Sequence, residues 1–256
     1  MSRWTPVVRS TLPLLTAQLS QWAVLKNHAE LPNVTGDIDL CVPRARWDTF
    51  VDAYLQALAA NGAHAVVTCD HFLGVRLVFA VALDAECRHA LELDLADGVW
   101  WKGTRLLGGA ELLEHAIGDP RGFRRLPEGF EAAYQLTVNG SSAPVRARAT
   151  ADADRFRRAM RILHGSAGAR AAEQFLAGRS SAWSGLPLVA RRMRRASAAP
   201  LARPAAFARR KASAHWRGLP RRVDGSTEAW LQRVARGHPH QVVGPGGSLD
   251  PSREAR

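Results

Sequence analysis

Apolar and polar positions alternate most clearly in two short stretches of the chain. In "DIDLCV" (37–42), Ile38, Leu40 and Val42 fall on one side and Asp37, Asp39 and Cys41 on the other. In "HALELDLADG" (89–98), Leu91, Leu93 and Leu95 oppose Glu92 and Asp94. A period of two predicts strands there, each with one face in a core. The apolar run "WAVLKN" (22–27) predicts a buried strand. "HAVVTC" (64–69) and "LGVRLVFAV" (73–81) predict two more, joined by a tight turn at Asp70-His71.

Elsewhere the period lengthens to that of a helix. Leu12–Gln21 repeats apolar residues at helical spacing. The segment 44–62 puts Trp47, Phe50, Val51, Tyr54, Leu55 and Leu58 on one face before an Asn61-Gly62 stop. Beyond Gly109 the pattern predicts helices over Ala110–Ile117, Glu128–Val138, Asp152–His164 and Ala169–Ala177. This order implies an α/β (α+β) fold, one mixed sheet with helices packed on it.

Charge divides the chain. Up to Thr150 there are 14 Lys/Arg against 16 Asp/Glu, and from Ala151 onward 21 against 7, so nearly all of the net +12 lies in the second half. The first half is an ordinary domain, and the second has an electrostatic role or an anionic partner. Arg- and Ala-rich segments between Arg191 and Arg236 are candidates for binding nucleic acid or an acidic surface. The Gly/Pro-rich end, 237–256, reads as unstructured, and the tail from Ser180 as weakly ordered. The expected divisions are a core over 1–110, a helical extension over 111–180 and a basic tail over 181–256. Three cysteines, Cys41, Cys69 and Cys87, with no Cys-x-x-Cys pair, argue against a disulfide framework or a zinc site. With no cleavable leader and no apolar run of about 18 residues, a cytoplasmic location is expected.

The candidate chemistry lies in the carboxylates. Residues two apart on one strand face stand roughly 6–7 Å apart at Cα, so Asp37 and Asp39 can reach a single ion. Asp94, with Glu92 beside it, offers a third carboxylate from a second strand. Three carboxylates from two strands match what a pair of magnesium ions needs, because magnesium takes oxygen ligands and is held by few carboxylates together with substrate phosphates. The competing assignment for Asp37 and Asp39 is a solvated strand edge, and for Glu92 a solvent-facing residue. Trp100 and Trp101 are assigned to packing ahead of stacking on a base.

The stretch "WAVLKNHAELPNVTGDIDLCV" followed by "LELDLADGVWWKG" resembles the nucleotidyltransferases of the DNA polymerase β-like superfamily, over roughly residues 20–165. It is most similar to a bacterial branch encoded with polysaccharide-biosynthesis genes. The resemblance implies a nucleotidyltransferase-like sheet and magnesium or manganese held by Asp37, Asp39 and Asp94. It makes Asp94 the general base, and an NTP such as ATP the substrate. The acceptor is unidentified, a glycan precursor being one candidate. The nucleotide-contacting positions would be Lys26, Asn27 and Gly36. Active relatives carry Gly-Ser where this chain has Lys26-Asn27, which leaves those two open between phosphate contact and plain turn residues. Two further readings follow: a catalytically inactive domain that binds nucleotide or a partner, and a nucleic-acid-binding protein acting through its basic C-terminal half.

Overall fold

The structure, a computed structural model, describes residues 4–33, 37–60, 65–72, 75–81, 91–101, 104–179, 240–244 and 247–249. It is a mixed α/β architecture, as the alternating periods predict. Helix α1 (Trp4–Gln18) leads into β1 (Ala23–Val24) and β2 (Ile38–Cys41), and α2 (Trp47–Ala59) follows. Then come β3 (Ala65–Phe72), β4 (Val75–Val81) and β5 (Leu91–Ala96). A hairpin of β6 (Val99–Trp101) and β7 (Thr104–Leu107), the short α3 (Gly109–Leu113), and the pair β8 (Ile117–Gly118) and β9 (Arg124–Arg125) complete the first part. Helices α4 (Glu128–Val138), α5 (Ala143–Ala151) and α6 (Ala153–Leu176) follow, and β10 (His240–Gly244) and β11 (Gly247–Leu249) lie near the end.

Nine strands form one sheet in the order β11-β10-β3-β4-β5-β2-β1-β9-β8. The centre matters most. β2 lies between β1, antiparallel to it, and β5, parallel to it. The β2–β5 register sets Asp39 opposite Asp94 and Leu40 opposite Leu95. A parallel pair must be joined by a crossover, and its strands are covered on both faces. Accordingly Ile38, Asp39, Leu40 and Cys41 are all buried. Below them Trp22, Val24, Leu25, Phe50, Tyr54 and Leu58 belong to one core, with the Trp22 and Phe50 rings edge to face at 6.0 Å.

The main strand and helix expectations hold, with shifted ends. No turn falls at Asp70-His71, because β3 runs on to Phe72 through a bulge between Asp70 and Phe72. The helix expected over Ala110–Ile117 stops at Leu113, and Ile117 enters β8. The N-terminal helix starts eight residues before Leu12 and contains Pro13. Helix α5 had no apolar stripe to announce it: Val145 and Ala149 are its buried residues, and Ser142 caps it by accepting from the Val145 N–H. The segment 237–256, read as unstructured, contains β10 and β11. β10 pairs antiparallel with β3, Val242 opposite Val67. Two adjacent β-branched valines are enough to extend an open sheet edge, where main-chain groups are waiting for partners.

Two helices were expected across 152–177, and the chain does break between them. Gly165 adopts φ 66°, ψ −151°, which is not helical. Arg157 Nε lies 2.8 Å from Glu173 Oε1, and the Phe156 and Phe175 rings are 5.5 Å apart. Sixteen residues of straight helix would span about 24 Å, so α6 doubles back on itself at Gly165. Helix α4 packs against this hairpin so closely that a Cβ on Gly129 would stand 2.3 Å from the Asp152 carbonyl oxygen.

Candidate functional site

Three carboxylates meet at the middle of the sheet. Asp39 and Asp94 are register partners on adjacent parallel strands, so their side chains leave the sheet on the same face. Asp37, two residues before Asp39, leaves on that face as well. One oxygen from each of the three lies within 4.8 Å of the others. Asp39 is only 8% exposed, while Asp37 and Asp94 are half-buried. Like charges brought this close in a partly dry environment repel strongly, and the repulsion has to be offset by a cation or by proton uptake.

Part of the compensation comes from the chain itself. Lys26 Nζ lies 2.8 Å from Asp39 Oδ2 and 3.9 Å from Asp37 Oδ2, with its side chain 18% exposed. Burial by itself would lower the lysine pKa. The charge and hydrogen bond of Asp39, with the charges of Asp37 and Asp94, outweigh it and hold the ammonium above its ordinary value. Lys26 is therefore a permanent cation here.

A second buried network holds the loop that carries Lys26. Leu25 N–H donates to the Asp39 carbonyl at 2.8 Å, tying β1 to β2 just before the lysine. Just after it, Asn27 takes up a left-handed conformation, φ 57° and ψ 24°. Asparagine tolerates that region better than most residues. Its N–H donates to Glu131 Oε1 at 2.8 Å and its Oδ1 accepts from Gln135 Nε2 at 3.2 Å. Glu131 is fully buried in α4. It also accepts from Gln135 Nε2 at 2.9 Å and faces Arg148 Nε at 3.4 Å. Its Oε2 lies 3.0 Å from His28 Nε2, a contact that is a hydrogen bond when that ring nitrogen carries a proton. Arg125 Nη1 approaches the same ring nitrogen at 3.3 Å, and Arg125 Nε donates to Asp119 Oδ2 at 2.9 Å.

Tyr134, three residues beyond Glu131, is buried. Burial first, and then the charges of Asp39 and Asp94, hold its phenol well above the ordinary tyrosine value. That places a protonated hydroxyl within electrostatic reach of the carboxylates. Cys41, on the same side of β2, is also buried, and its thiol is pushed up to about 12 by burial, so it is inert as a nucleophile.

The structure therefore brings together Asp37, Asp39, Asp94 and Lys26. It assigns Asn27 to internal bonding, with both its N–H and its Oδ1 engaged by α4. Gly36 lies outside the described residues, as does the Arg-rich segment 191–236, and the Glu92 side chain is likewise outside them. Trp101 is buried and Trp100 donates its Nε1–H to the Asp97 carbonyl at 3.0 Å, in keeping with packing roles. No helix among the described residues is long and apolar enough to cross a membrane.

No family model, no curated protein and no solved structure matches the chain. The site must be read from its own chemistry. Glu131, His28 and Tyr134 entered it unannounced. The available signal was a glutamate inside the apolar run "GFEAAYQL", where a charge on a buried helix needs partners from elsewhere in the chain.

Proposed function

We propose that this chain is a metal-dependent nucleotidyltransferase, moving a nucleoside monophosphate from an NTP to an acceptor and releasing pyrophosphate. The observation that carries the reading is the convergence of Asp37, Asp39 and Asp94, from two parallel neighbouring strands, to within 4.8 Å. An all-oxygen, all-carboxylate donor set fits magnesium or manganese and suits neither zinc nor copper as well. The partial exposure of Asp37 and Asp94 leaves room for substrate oxygens. A divalent ion bound there would neutralise phosphate charge and favour attack on the α-phosphorus.

The remaining work falls to the chain. Asp94 is the group to take the proton of an acceptor hydroxyl. Tyr134, kept protonated, can donate to an oxygen that gains negative charge. Lys26 fixes Asp39 in one rotamer and lowers the repulsion among the three acids. Asn27 serves as a structural turn residue. The Gly-Ser phosphate grip of the resembled family is replaced here by a lysine engaged with the acids, and the triphosphate would have to be held by the ion and the neighbouring loops.

The same ion pair supports a second reading, a domain that binds nucleotide without turning it over. Calorimetric titration of each NTP with magnesium, on the wild-type chain and on Asp37→Asn/Asp39→Asn, tests the first part of both. Binding that requires magnesium and disappears in the double variant is expected. Pyrophosphate release in the presence of candidate acceptors then separates transfer from binding alone. A folded wild-type protein that binds no nucleotide with magnesium present would defeat both readings.

A further inference from the structure

We infer that the cavity between helix α1 and the turn joining β8 to β9 is a binding site for a small organic acid, an apolar body carrying one anionic head. Binding there depends neither on the carboxylate cluster nor on nucleotide transfer.

The cavity has a volume of about 270 Å3. Its apolar wall is Val8, Leu12, Pro13, Leu31, Pro32 and Phe123, and its polar side chains are two arginines, Arg9 and Arg121. An apolar cavity of about 150 Å3 is enough for a benzene ring, so this one takes a body of roughly ten carbon atoms. The wall is built in advance. Gly122, in the turn, has φ 87°, and a Cβ there would stand 3.2 Å from Pro13 Cβ on α1. The turn itself is closed by the Asp119 N–H, which donates to the Phe123 carbonyl at 2.8 Å, and by the Gly122 N–H, which donates to the Asp119 carbonyl at 2.9 Å. A preformed apolar cavity spares a ligand the cost of ordering its walls.

The two arginines say what the ligand carries. The Arg121 guanidinium is held by its own bonds: Nε and Nη2 donate to Asp119, and Nη1 to the Leu31 carbonyl. It lies 4.9 Å from the centroid of the Phe123 ring. Those bonds use three of the five N–H groups of a guanidinium and leave two on a fork already set in place. Asp119 is shared between Arg121 and Arg125, with its side chain only 4% exposed. Arg9 is exposed, and among the described residues no acid is paired with it. The lining includes no carboxylate. An apolar cavity whose charges are all positive disfavours a cation and offers a neutral polar guest no acceptor side chain. It suits an amphipathic anion, whose body fills the cavity while its head meets the guanidiniums.

The test uses the full-length protein with sodium octanoate as the probe, followed by calorimetry and by the methyl resonances of labelled valine and leucine. Octanoate should bind at one site and shift the methyl signals of Val8, Leu12 and Leu31. Octanol, which lacks the charge, and acetate, which lacks the body, should each bind at least tenfold more weakly. Arg9→Glu, at an exposed position, should weaken octanoate binding at least tenfold. Val8→Phe, which fills the cavity, should abolish it. Leu12→Phe is the substitute if circular dichroism shows that the Val8 variant does not fold. No octanoate bound at millimolar concentration overturns the inference. So does octanol that binds as well as octanoate, or octanoate affinity unchanged by Arg9→Glu and by the filled variant. A wild type that binds no octanoate but sediments as a dimer, and that Arg9→Glu returns to a monomer, gives the face to a second copy of the chain and overturns the inference too. The transferase reading is judged separately, by pyrophosphate release, and its failure leaves this site standing.

Discussion

Two groups of acidic side chains sit close together near the central strands and are treated in opposite ways. Asp119 and Glu131 are surrounded by donors. Asp119 accepts from Arg121 Nε at 2.7 Å, Arg121 Nη2 at 2.9 Å, Arg125 Nε at 2.9 Å and the Arg121 N–H at 3.0 Å. Arg121 in turn donates through Nη1 to the Leu31 carbonyl at 2.6 Å. Glu131 faces His28, Arg148, Gln135 and the Asn27 N–H. Two carboxylates there meet three guanidiniums, a ring and three amides. Asp37, Asp39 and Asp94, by contrast, are set against one another, one oxygen of each within 4.8 Å of the others, with the Lys26 ammonium 2.8 Å from Asp39 Oδ2. The first group is electrically complete and ties loop to helix. The second gathers three acids at the partly open centre of the sheet. Acids gathered against one another in this way form the arrangement that a divalent ion from outside the chain would complete.

Removing members of each group should separate the two kinds of site. The largest effect is expected for Glu131→Ala, which strands the Asn27 N–H, His28 and Arg148 without their acceptor. Breaking a buried charged network from one side costs about 3–5 kcal/mol, and urea denaturation should read a loss of that size. Because the loop holding Lys26 hangs on Glu131, metal affinity should change as well. If Glu131→Ala leaves stability within about 0.5 kcal/mol, the level of an ordinary surface change, the two groups do not differ in the way described.

Asp119→Asn comes next, and its signature is pH dependence. Hydrogen bonds from Arg121, against the opposing effect of burial, hold the Asp119 carboxyl well below its ordinary value of 3.8. The charges of Arg121 and Arg125 lower it further. A carboxyl depressed by folding contributes stability that is fully present above its unfolded pKa and is lost as pH falls through its folded one. Wild type should therefore lose stability as pH drops below about 4, with a midpoint shift in thermal melts that is reduced in Asp119→Asn. At neutral pH the variant should be weaker by about 1.5–3 kcal/mol, the range for hydrogen bonds to a charged group, with Mn2+ binding intact.

Divalent ions should raise the melting temperature of the wild type, since a ligand that binds the folded state stabilises it by about 2.7 kcal/mol at a hundredfold excess over Kd. The shift should vanish in Asp37→Asn/Asp39→Asn. The smallest stability effect belongs to Asp37→Asn alone. It removes one of three mutually repelling charges from a half-buried position and should move stability by less than about 1 kcal/mol in either direction. Its Mn2+ affinity should nevertheless fall at least tenfold. A variant that binds Mn2+ as wild type does would show that Asp37 belongs with the structural acids.

Much of the fold was legible from local pattern. The alternation through Ile38-Asp39-Leu40 and Leu93-Asp94-Leu95 predicted both central strands, and Glu128–Val138 is a helix to the residue. Shorter pieces were less readable. β8 and β9 have two residues each, too few for any period, and exist because β9 pairs with β1 and β8 with β9. Helix α5 has a single valine among alanines and arginines, so its packing partners define it more than its own pattern does. β10 is a strand because the edge of β3 is there to receive it.

Of the candidate site, the chain's sequence alone determined which acids share a face. Period two sends Asp37 and Asp39 the same way from one strand and puts Asp94 between two core leucines on another. It could not determine that the two strands are parallel neighbours with Asp39 opposite Asp94, because backbone hydrogen bonds carry no residue labels. Strand pairing is settled by how the crossover, the helices and the core fit together. The same holds for Lys26. Its place in the sequence is one residue before a turn, and only the tertiary structure, with Asn27 anchored on Glu131 from more than a hundred residues away, brings its ammonium to the acids.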